Sequence, residues 1–543
     1  MRVVSGRSKI ATQYGIVAAS QPLAARAGVQ ILERGGHAVD AAIAANAVMG
    51  VVEPEMNGVG GDLFAIVSES SGAGPFGLNA GGWAPSGLTP ALLKSKGLTE
   101  MPFGGIHTVS VPGAVAGWVA LHQRFGRLPL ADLLAPAIFY AERGFPVSDV
   151  IATRWAQWTD KLSADANAAA TFLPNGRAPR SGELFANRDL AAVLRRIAGD
   201  GAAGFYAGPT AAAMLECSQA RGGTMTADDL SDFEAEWVDP ISTTYREWRV
   251  YEIPPNTQGI AALIMLDLME QFPLRDFGFA TAASLHVMIE AKKLAYADML
   301  RYVADPKFGE VPVDLLLNKS SAKARARLIR PDSAAMRVKP SAADSVTTRH
   351  GGDTIYLSAI DREGNIVSLI QSIYQGFGSG LVPPGTGFAL QNRGALFTLD
   401  DQHPNVLAPR KRPLHTIIPG FMQKGELRVG FGIMGAWNQA QAHAQFVANV
   451  VDFGMDIQEA LEAARFTKST FDGVDVSIEA LVPEPVRVEL KRLGHDVTVV
   501  PPRSGVFGSG QAVMSHDGTR VHFGASEPRH DGAAIPEAPP VFG

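Results

Sequence analysis

Apolar residues recur at helical spacing in three stretches of the chain. Residues 22–34 show this spacing and stop at a glycine pair, which is a natural helix C-terminus. A second helix is predicted over about 38–50, and a long amphipathic helix over 285–303, which ends before an Asp-Pro pair. The run "EPEMNGVGGDLFAIV" predicts a glycine turn that leads into an apolar strand.

The pattern changes after the long helix. Residues 305–350 are polar and poor in large apolar side chains, so we expect an exposed, mobile linker over about 305–353. Beyond it, strands are predicted at 354–360, 366–374 and 387–391. A helical first part followed by a strand-rich second part predicts an α/β (α+β) fold of layered sheets covered by helices.

The first strand after the linker begins on Thr354. Residues 354–360 are β-branched and aromatic, and "DREGN" supplies the turn to the next strand. One interpretation is an ordinary internal hairpin. The other is that the chain is cut before Thr354, because a free α-amino group has a pKa near 7.7–8.0 and can act as the base for the threonine's own hydroxyl.

Two glycine-rich stretches follow. "GFGSG" at 376–380 permits close backbone approach to a ligand, but no GK[ST] follows it as in a phosphate-binding loop. Gly430, Gly432 and Gly435 form a GxGxxG between a strand and a helix, which raises the alternative of a dinucleotide-dependent oxidoreductase. That alternative lacks the acidic residue expected about 20 residues on. The backbone N–H groups there can equally bind an oxyanion.

Composition narrows the classes of function. The 543 residues carry a formal charge of −6 and no long basic run, which argues against nucleic acid or a membrane surface as a partner. Cys217 is the single cysteine and lies in a helical stretch, so a disulfide within the chain is excluded. The twelve histidines show no HExxH or paired spacing, so we expect neither a metal nor a cofactor. We expect a cytoplasmic protein.

Several ordered blocks together resemble the gamma-glutamyltranspeptidases, which are N-terminal nucleophile hydrolases made as one proenzyme. The resemblance covers nearly the whole chain. The blocks are "GIVAASQPLAARAGVQILERGGHAVDAAIAANAVMGVVEPEMNGVGGDLF", "TVSVPGAVAGW", "EAKKLAYADMLRYVADP", "DTIYLSAIDREGNIVS", "KRPLHTIIPG" and "GASEPRHDG".

This resemblance implies a four-layer αββα sandwich and a chain that cleaves itself. Thr354 would attack the carbonyl of Asp353, giving a large subunit 1–353 and a small subunit 354–543 that stay together. A homodimer of these heterodimers is an expected assembly. The freed Thr354 would then attack a small-molecule amide and form an acyl-enzyme. Ser372 matches the hydroxyl that tunes the nucleophile, and Gly435 and Ala436 match the backbone oxyanion pair.

The positions that bind the glutamyl group in this family do not match. The family's arginine falls on Gly81, and its aspartate falls on Leu396. Leu396 cannot accept a hydrogen bond from an ammonium group, and Arg393 would repel one.

The expected acyl pocket is therefore altered. Tyr374, Arg393, His415 and Thr416 occupy the remaining substrate-binding positions. Arg393 could hold a carboxylate bidentately, and Tyr374 narrows the pocket. A small acid monoamide without an amino group would fit, as in oxamate amidohydrolases and glutaryl-type cephalosporin acylases, two branches with similar "IQSIYQGFGSG" and "LQNRGALF" regions. Gamma-glutamyl (glutathione) chemistry, hydrolysis against transfer, and a catalytically inert copy stay open.

Overall fold

The computed structural model describes residues 6–340 and 353–540. Its strands are β1 Ile10–Thr12, β2 Ile16–Ala19, β3 Asp62–Ser68, β4 Phe76–Ala80, β5 Phe145–Pro146, β6 Leu184–Phe185, β7 Glu236–Val238, β8 Ile241–Tyr245, β9 Trp248–Glu252, β10 Asp353–Ile360, β11 Ile366–Tyr374, β12 Gly420–Lys424, β13 Leu427–Ile433, β14 Phe466–Thr467, β15 Asp475–Glu479, β16 Asp496–Val500, β17 Gly510–His516, β18 Val521–Ser526 and β19 Ala533–Pro536.

The α-helices are α1 Pro22–Glu33, α2 Ala38–Val52, α3 Pro90–Ser95, α4 Ala114–Phe125, α5 Leu130–Arg143, α6 Asp149–Ala156, α7 Thr159–Ser163, α8 Ala166–Phe172, α9 Arg188–Asp200, α10 Ala203–Tyr206, α11 Gly208–Gln219, α12 Ala227–Ser231, α13 Gly259–Met269, α14 Leu274–Phe277, α15 Ala282–Tyr302, α16 Val313–Leu316, α17 Lys319–Ala326, α18 Asn438–Val451, α19 Ile457–Glu462 and α20 Glu484–Arg492.

Two seven-stranded antiparallel sheets form the centre of the molecule. The first has the order β1-β18-β17-β13-β12-β9-β8, and the second has the order β19-β2-β10-β11-β3-β4-β7. Each sheet mixes strands from before and after residue 353, so the two predicted subunits share both sheets. Helices α1 and α2 pack on the outer face of the second sheet, and α13, α15 and α18 cover the first.

A separate apolar core lies between the sheets. Tyr356, Ile360, Ile366 and Ile370 point into it, whereas their neighbours Ile355, Leu357 and Ala359 pack toward the helices. This alternation explains why both faces of the β10–β11 hairpin are apolar. Helix, sheet, sheet and helix follow one another, which confirms the predicted four-layer αββα sandwich.

The first two predicted helices and the strands of the hairpin are confirmed within one or two residues. Helix α15 is also present, but its amphipathic character is wrong: residues 284–296 are buried all round. Its polar side chains bond neighbouring protein groups, as when Lys293 Nζ donates to Glu290 Oε1 at 2.6 Å. The charged residues of α15 therefore do not mark a solvent-exposed face of the helix.

The predicted linker is exposed over most of residues 306–340, but it contains regular structure. Helices α16 and α17 interrupt it, and Leu316, Ala322, Ala326 and Ile329 are buried. Small alanines at helical spacing suffice to dock this segment against the first sheet's helices. Residues 341–352 of the predicted linker lie outside the described residues.

The strand predicted at 387–391 is also wrong. Gly387 has a φ of +71°, and the backbone bonds of this segment go to separate loops: Leu390 N donates to Leu381 O, and Gln391 N donates to Gly60 O. The segment is an irregular buried loop that follows the glycine-rich stretch 376–380.

The GxGxxG segment does not form a dinucleotide-binding unit. Its strand β13 is antiparallel to both neighbours, β12 and β17, whereas a Rossmann unit requires a parallel strand. Gly430 and Gly432 serve packing between the sheets, since a Cβ at either would collide with Ile366 or with the Tyr356 ring.

Candidate active site

Thr354 lies at the start of β10, on the face that looks toward the other sheet. Its side chain is buried, and Asp353 precedes it as the first residue of the strand. Asp353 pairs with Tyr374 and Ile355 with Gln371, so the register shifts between these pairs and leaves an extra residue on β11. Such bulges re-aim side chains. This one sets Ser372 beside Thr354.

Ser372 is the centre of a compact hydrogen-bond cluster. Its Oγ lies 2.7 Å from the carbonyl oxygen of Asp353 and 3.3 Å from Thr354 Oγ1. The backbone N–H of Tyr374 donates to the same Oγ at 2.8 Å, and Arg393 Nη2 donates to it at 2.9 Å. The serine therefore contacts both atoms that define the predicted cleavage reaction: the carbonyl oxygen and the attacking hydroxyl.

Arg393 is fully buried behind this serine. Its Nη1 donates to Thr416 Oγ1 at 2.7 Å, and its guanidinium stacks on the Tyr374 ring at 4.5 Å from the centroid. Burial lowers the pKa of Arg393 to about 10, which still leaves it cationic at neutral pH. No ion pair in the described ranges includes Arg393. The geometry does not present it to a cavity, which differs from the predicted role of gripping a substrate carboxylate.

His415 is tied to the second sheet. Its Nε2 lies 3.0 Å from Asp62 Oδ2, and burial, followed by the nearby Arg393 charge, lowers the pKa of His415 to about 3. His415 is thus neutral. Asp62 also accepts from the N–H of Gly82 at 2.8 Å and from Gln391 Nε2 at 2.7 Å, so it organises three loops.

Gly81, where the resembling family has an arginine, is closely surrounded by other side chains. A Cβ at Gly81 would lie 2.9 Å from the Phe64 ring and 3.7 Å from His415 Cδ2. A long side chain cannot enter there without displacing the Phe64 ring. The packing around Gly81 therefore leaves no room for an arginine at this position.

The predicted oxyanion pair lies on the turn between β13 and α18. Gly435 has a φ of +129° and Ala436 a φ of +50°, and the latter is a left-handed conformation that a residue with a Cβ rarely adopts. In the described part of the chain, no hydrogen bond uses the backbone N–H of Gly435 or Ala436. Both residues line one cavity together with Thr354.

That cavity has a volume of about 680 Å³ and carries several charged groups. Burial raises the pKa of the Asp353 carboxyl, opposed by the nearby Arg154. Burial and the charge of Glu53 raise the pKa of Glu55 well above its ordinary range. Arg154 Nη1 lies 3.0 Å from the sulfur of Met56, and no ion pair among residues 6–340 and 353–540 includes this arginine.

A second cavity of about 280 Å³ lies beyond Tyr374. Its walls combine apolar side chains, such as Leu396 and Phe103, with polar ones, such as His403 and Asn405. The Tyr374 hydroxyl is buried and has no hydrogen-bond partner among the described residues. Tyr374 also has a left-handed backbone, with a φ of +79°. This strained residue, whose hydroxyl has no partner among the described residues, lies between the second cavity and Arg393.

The structure thus brings together Asp353, Thr354, Ser372, Tyr374 and Arg393, and it places His415 and Thr416 just behind them. Sequence reasoning missed three site residues: Asp62, Arg154 and Glu55. Asp62 carried a weak signal, as an acid at the start of an apolar strand. The other two carried none, because their neighbours at the site are about 200 to 300 residues away in sequence.

One group outside this site has metal-ligating chemistry. His286, Glu290 and His495 place their ligand atoms within 4.8 Å of one another, although the histidine spacing in the sequence did not indicate it. His286 Nδ1 already bonds His495 Nε2 at 2.8 Å, and Lys293 is bonded to Glu290. The Lys293 ammonium group already supplies the positive charge beside Glu290, so we assign no metal there.

The two facing antiparallel sheets, covered by helices, and the buried threonine near the start of a central strand define the class as the N-terminal nucleophile hydrolase fold. The family model for gamma-glutamyltranspeptidase matches residues 24–537, and the chain belongs to that family.

The chain is similar to three relatives over almost its whole length. It is 34% identical to the glutathione hydrolase-like YwrD proenzyme of Bacillus subtilis, over 97% of this chain and 99% of that one. It is 34% identical to the oxamate amidohydrolase proenzyme of Klebsiella pneumoniae, over 96% and 98%. The crystal structure of a cephalosporin acylase from Bacillus halodurans superposes with a TM-score of 0.91 at 41% identity, covering 98% of this chain and 97% of the other. Among the described helices, none combines the length and apolarity that a membrane span requires.

Proposed function

We propose that this protein is a proenzyme that cleaves itself between Asp353 and Thr354 and then hydrolyses, or transfers the acyl group of, a small amide through a Thr354 ester. One observation carries the proposal: Thr354, the second residue of the central strand β10, lines a cavity, and its hydroxyl lies beside Ser372 and next to the Asp353 carbonyl. The proenzyme names of similar proteins support it.

The chemistry then has two stages. In the first, cleavage gives subunits 1–353 and 354–543, which stay together because both sheets contain strands from each. In the second, the new α-amino group of Thr354 takes the proton of its own hydroxyl as the oxygen attacks the substrate amide. The backbone N–H groups of Gly435 and Ala436 bind the oxyanion, since both lie in the same cavity and make no other hydrogen bond among the described residues.

The acyl substrate that fits best carries a carboxylate and lacks the α-amino group of a gamma-glutamyl compound. Arg154 supports the carboxylate, because an arginine at the nucleophile's cavity without an ion-pair partner among the described residues can pair with a ligand anion. Leu396 and the filled position at Gly81 argue against a bound amino acid head group. Oxamate-like and glutaryl-like amides both meet this description.

A substrate panel tests the proposal. The mature protein is assayed with oxamate, a glutaryl amide, a neutral butyryl amide and a gamma-glutamyl anilide, and the 354–543 fragment is weighed for the acyl adduct. We expect the adduct on Thr354 and a preference for the amine-free acids. Efficient turnover of the gamma-glutamyl anilide would show that the pocket argument is wrong.

Arg154 is tested in the same panel. Arg154→Met should raise KM for the anionic amides by about tenfold or more, the size of a lost charge-assisted hydrogen bond, and leave the neutral amide unaffected. The control is Arg143→Met, since Arg143 is exposed on α5. An equal loss for neutral and anionic amides would contradict carboxylate binding by Arg154.

A further inference from the structure

The hydrogen bonds around Ser372 fix the direction of its single proton. A serine hydroxyl has one proton to donate and two lone pairs to accept with. The backbone N–H of Tyr374, at 2.8 Å, and Arg393 Nη2, at 2.9 Å, can only donate, so they occupy both lone pairs. The proton is then left for the carbonyl oxygen of Asp353 at 2.7 Å, the shortest contact of the four.

Thr354 is consequently not the preferred partner of this serine. Its Oγ1 lies 3.3 Å from Ser372 Oγ, and the lone pairs that could accept its proton are taken by two shorter bonds. In the intact chain Ser372 therefore cannot serve as the base for Thr354. It acts on the other reactant, by donating to the carbonyl that is attacked.

Arg393 strengthens this donation from behind. A charged donor polarises the hydroxyl that it bonds, and bonds in such a chain reinforce one another. Arg393 is 0% exposed, and no acidic ion-pair partner is seen among residues 6–340 and 353–540, so its charge is screened little at this short range. Thr416 Oγ1 and the Tyr374 ring hold the guanidinium in place.

We infer that Arg393 is a positioning residue for self-cleavage: through Ser372 it holds and polarises the Asp353 carbonyl while Thr354 attacks. The inference rests on the self-cleavage proposed above. In the step itself, a bond forms between Thr354 Oγ1 and the Asp353 carbonyl carbon, and the peptide C–N bond breaks. The hydroxyl proton passes to the Thr354 nitrogen, and water then hydrolyses the ester to a carboxylic acid and the free hydroxyl.

This role differs from the one that the sequence suggested for Arg393. A side chain that gripped a substrate carboxylate would face a cavity, and neither cavity beside Thr354 or Tyr374 is lined by Arg393. Its two terminal nitrogens are instead engaged with Ser372 and Thr416. Arg393 is therefore hydrogen-bonded within the protein before any substrate binds.

The test measures the first-order rate at which the full-length chain, made by pulse-labelled cell-free translation, converts to the two fragments. Ser372→Ala should slow conversion by about 10²–10³-fold, as removal of one oxyanion donor does. Arg393→Met should slow it by about 10–10²-fold, because the hydroxyl remains but is no longer oriented or polarised. Arg393→Lys, which restores a cationic donor, should recover part of the rate.

A double-mutant cycle separates positioning from general support of the fold. If Arg393 acts through Ser372, the Ser372→Ala, Arg393→Met double variant cleaves no more slowly than Ser372→Ala alone. The matched control is Arg428→Met, since Arg428 is another buried arginine but bonds Asp517 and Gly364 at the far end of β13. It should leave the cleavage rate within a few-fold of wild type even if the unfolding temperature falls.

The outcomes are distinguishable. A wild-type chain that never cleaves overturns the proposed function itself. A cleaving wild type with an Arg393→Met variant of equal rate, or with independent multiplicative effects in the cycle, overturns the inference about Arg393 alone. If Arg393→Met loses cooperative unfolding, Arg393→Gln and Arg393→Lys decide the question, and equal rates in wild type and both variants would contradict it.

Discussion

The Tyr374 hydroxyl predicts an unusual pair of stability changes. It is buried without a hydrogen-bond partner among the described residues, and burial raises the pKa of this phenol to about 12, so it is neutral in any ordinary buffer. An unsatisfied buried polar group costs about 1–3 kcal/mol. Tyr374→Phe removes that cost and keeps the ring contacts with Arg393 and Phe103. We expect the free energy of unfolding to rise by about 1–2 kcal/mol.

A second buried tyrosine on the paired strand provides the matched control. Tyr356 bonds Ser368 Oγ through its hydroxyl at 2.7 Å. Tyr356→Phe loses this bond and leaves Ser368 with a weaker contact, so we expect a fall of about 1–2 kcal/mol. Removal of a tyrosine hydroxyl is thus expected to change the free energy of unfolding in opposite directions on the two paired strands, β10 and β11.

Urea unfolding measures both variants. Each is made in the Thr354→Ala background, so that the chains stay uncut and their midpoints can be compared at a shared slope. If the two phenylalanine variants lose stability equally, the Tyr374 hydroxyl is satisfied and the reasoning is refuted. In the cleavable background, Tyr374→Phe should also lower amide turnover, which would indicate that the hydroxyl is kept for the substrate.

Three further predictions concern the loop that contains Gly508, the buried His415 and the amino group of Thr354. Gly508→Ala places a Cβ against the Met434 carbonyl at a φ of +74°, so turnover should fall about tenfold, whereas Gly454→Ala, with a φ of +67° but nothing near the added carbon, should lower only stability. The folded pKa of His415 is about 3, below the unfolded value near 6.5, so the unfolded chain binds the extra proton between these values. Stability should therefore drop as pH falls through that window, and His415→Gln should reduce the slope in urea titrations by about 1.4 kcal/mol per pH unit. A slope unchanged in His415→Gln would contradict a neutral histidine. For the mature enzyme, kcat/KM should rise with pH and level off above about 8, as the Thr354 amino group loses its proton; a flat profile would argue against that base.

Sequence patterns a few residues long predicted much of the fold and part of the candidate site. The β10–β11 hairpin, the helix bounds near residues 22 and 38, and the glycine turn before α18 each depend on patterns a few residues long. The candidate nucleophile, Thr354, was visible for the same reason, because its strand and turn are contiguous.

The remaining features depend on distant contacts. The Asp62–His415 pair joins residues 353 positions apart, and Arg154 reaches the Thr354 cavity from a helix with no distinctive motif. The sequence marked Arg393 as a candidate, but only the fold shows that its guanidinium lies against the Tyr374 ring and lines neither nearby cavity. Helices α16 and α17, which follow α15, were also not predicted, because they pack mainly through small alanine side chains.

The proposed function requires that Thr354 becomes an N-terminus. Intact-mass analysis of the purified protein, wild type and Thr354→Ala, tests it most directly, with Thr354→Ser as the variant that keeps a hydroxyl. We expect two wild-type masses that correspond to residues 1–353 and 354–543, the same two masses in Thr354→Ser at a lower rate, and a single full-length mass in Thr354→Ala. A wild-type chain that remains at full length after prolonged incubation, or a Thr354→Ala chain cut at the same bond, would contradict it.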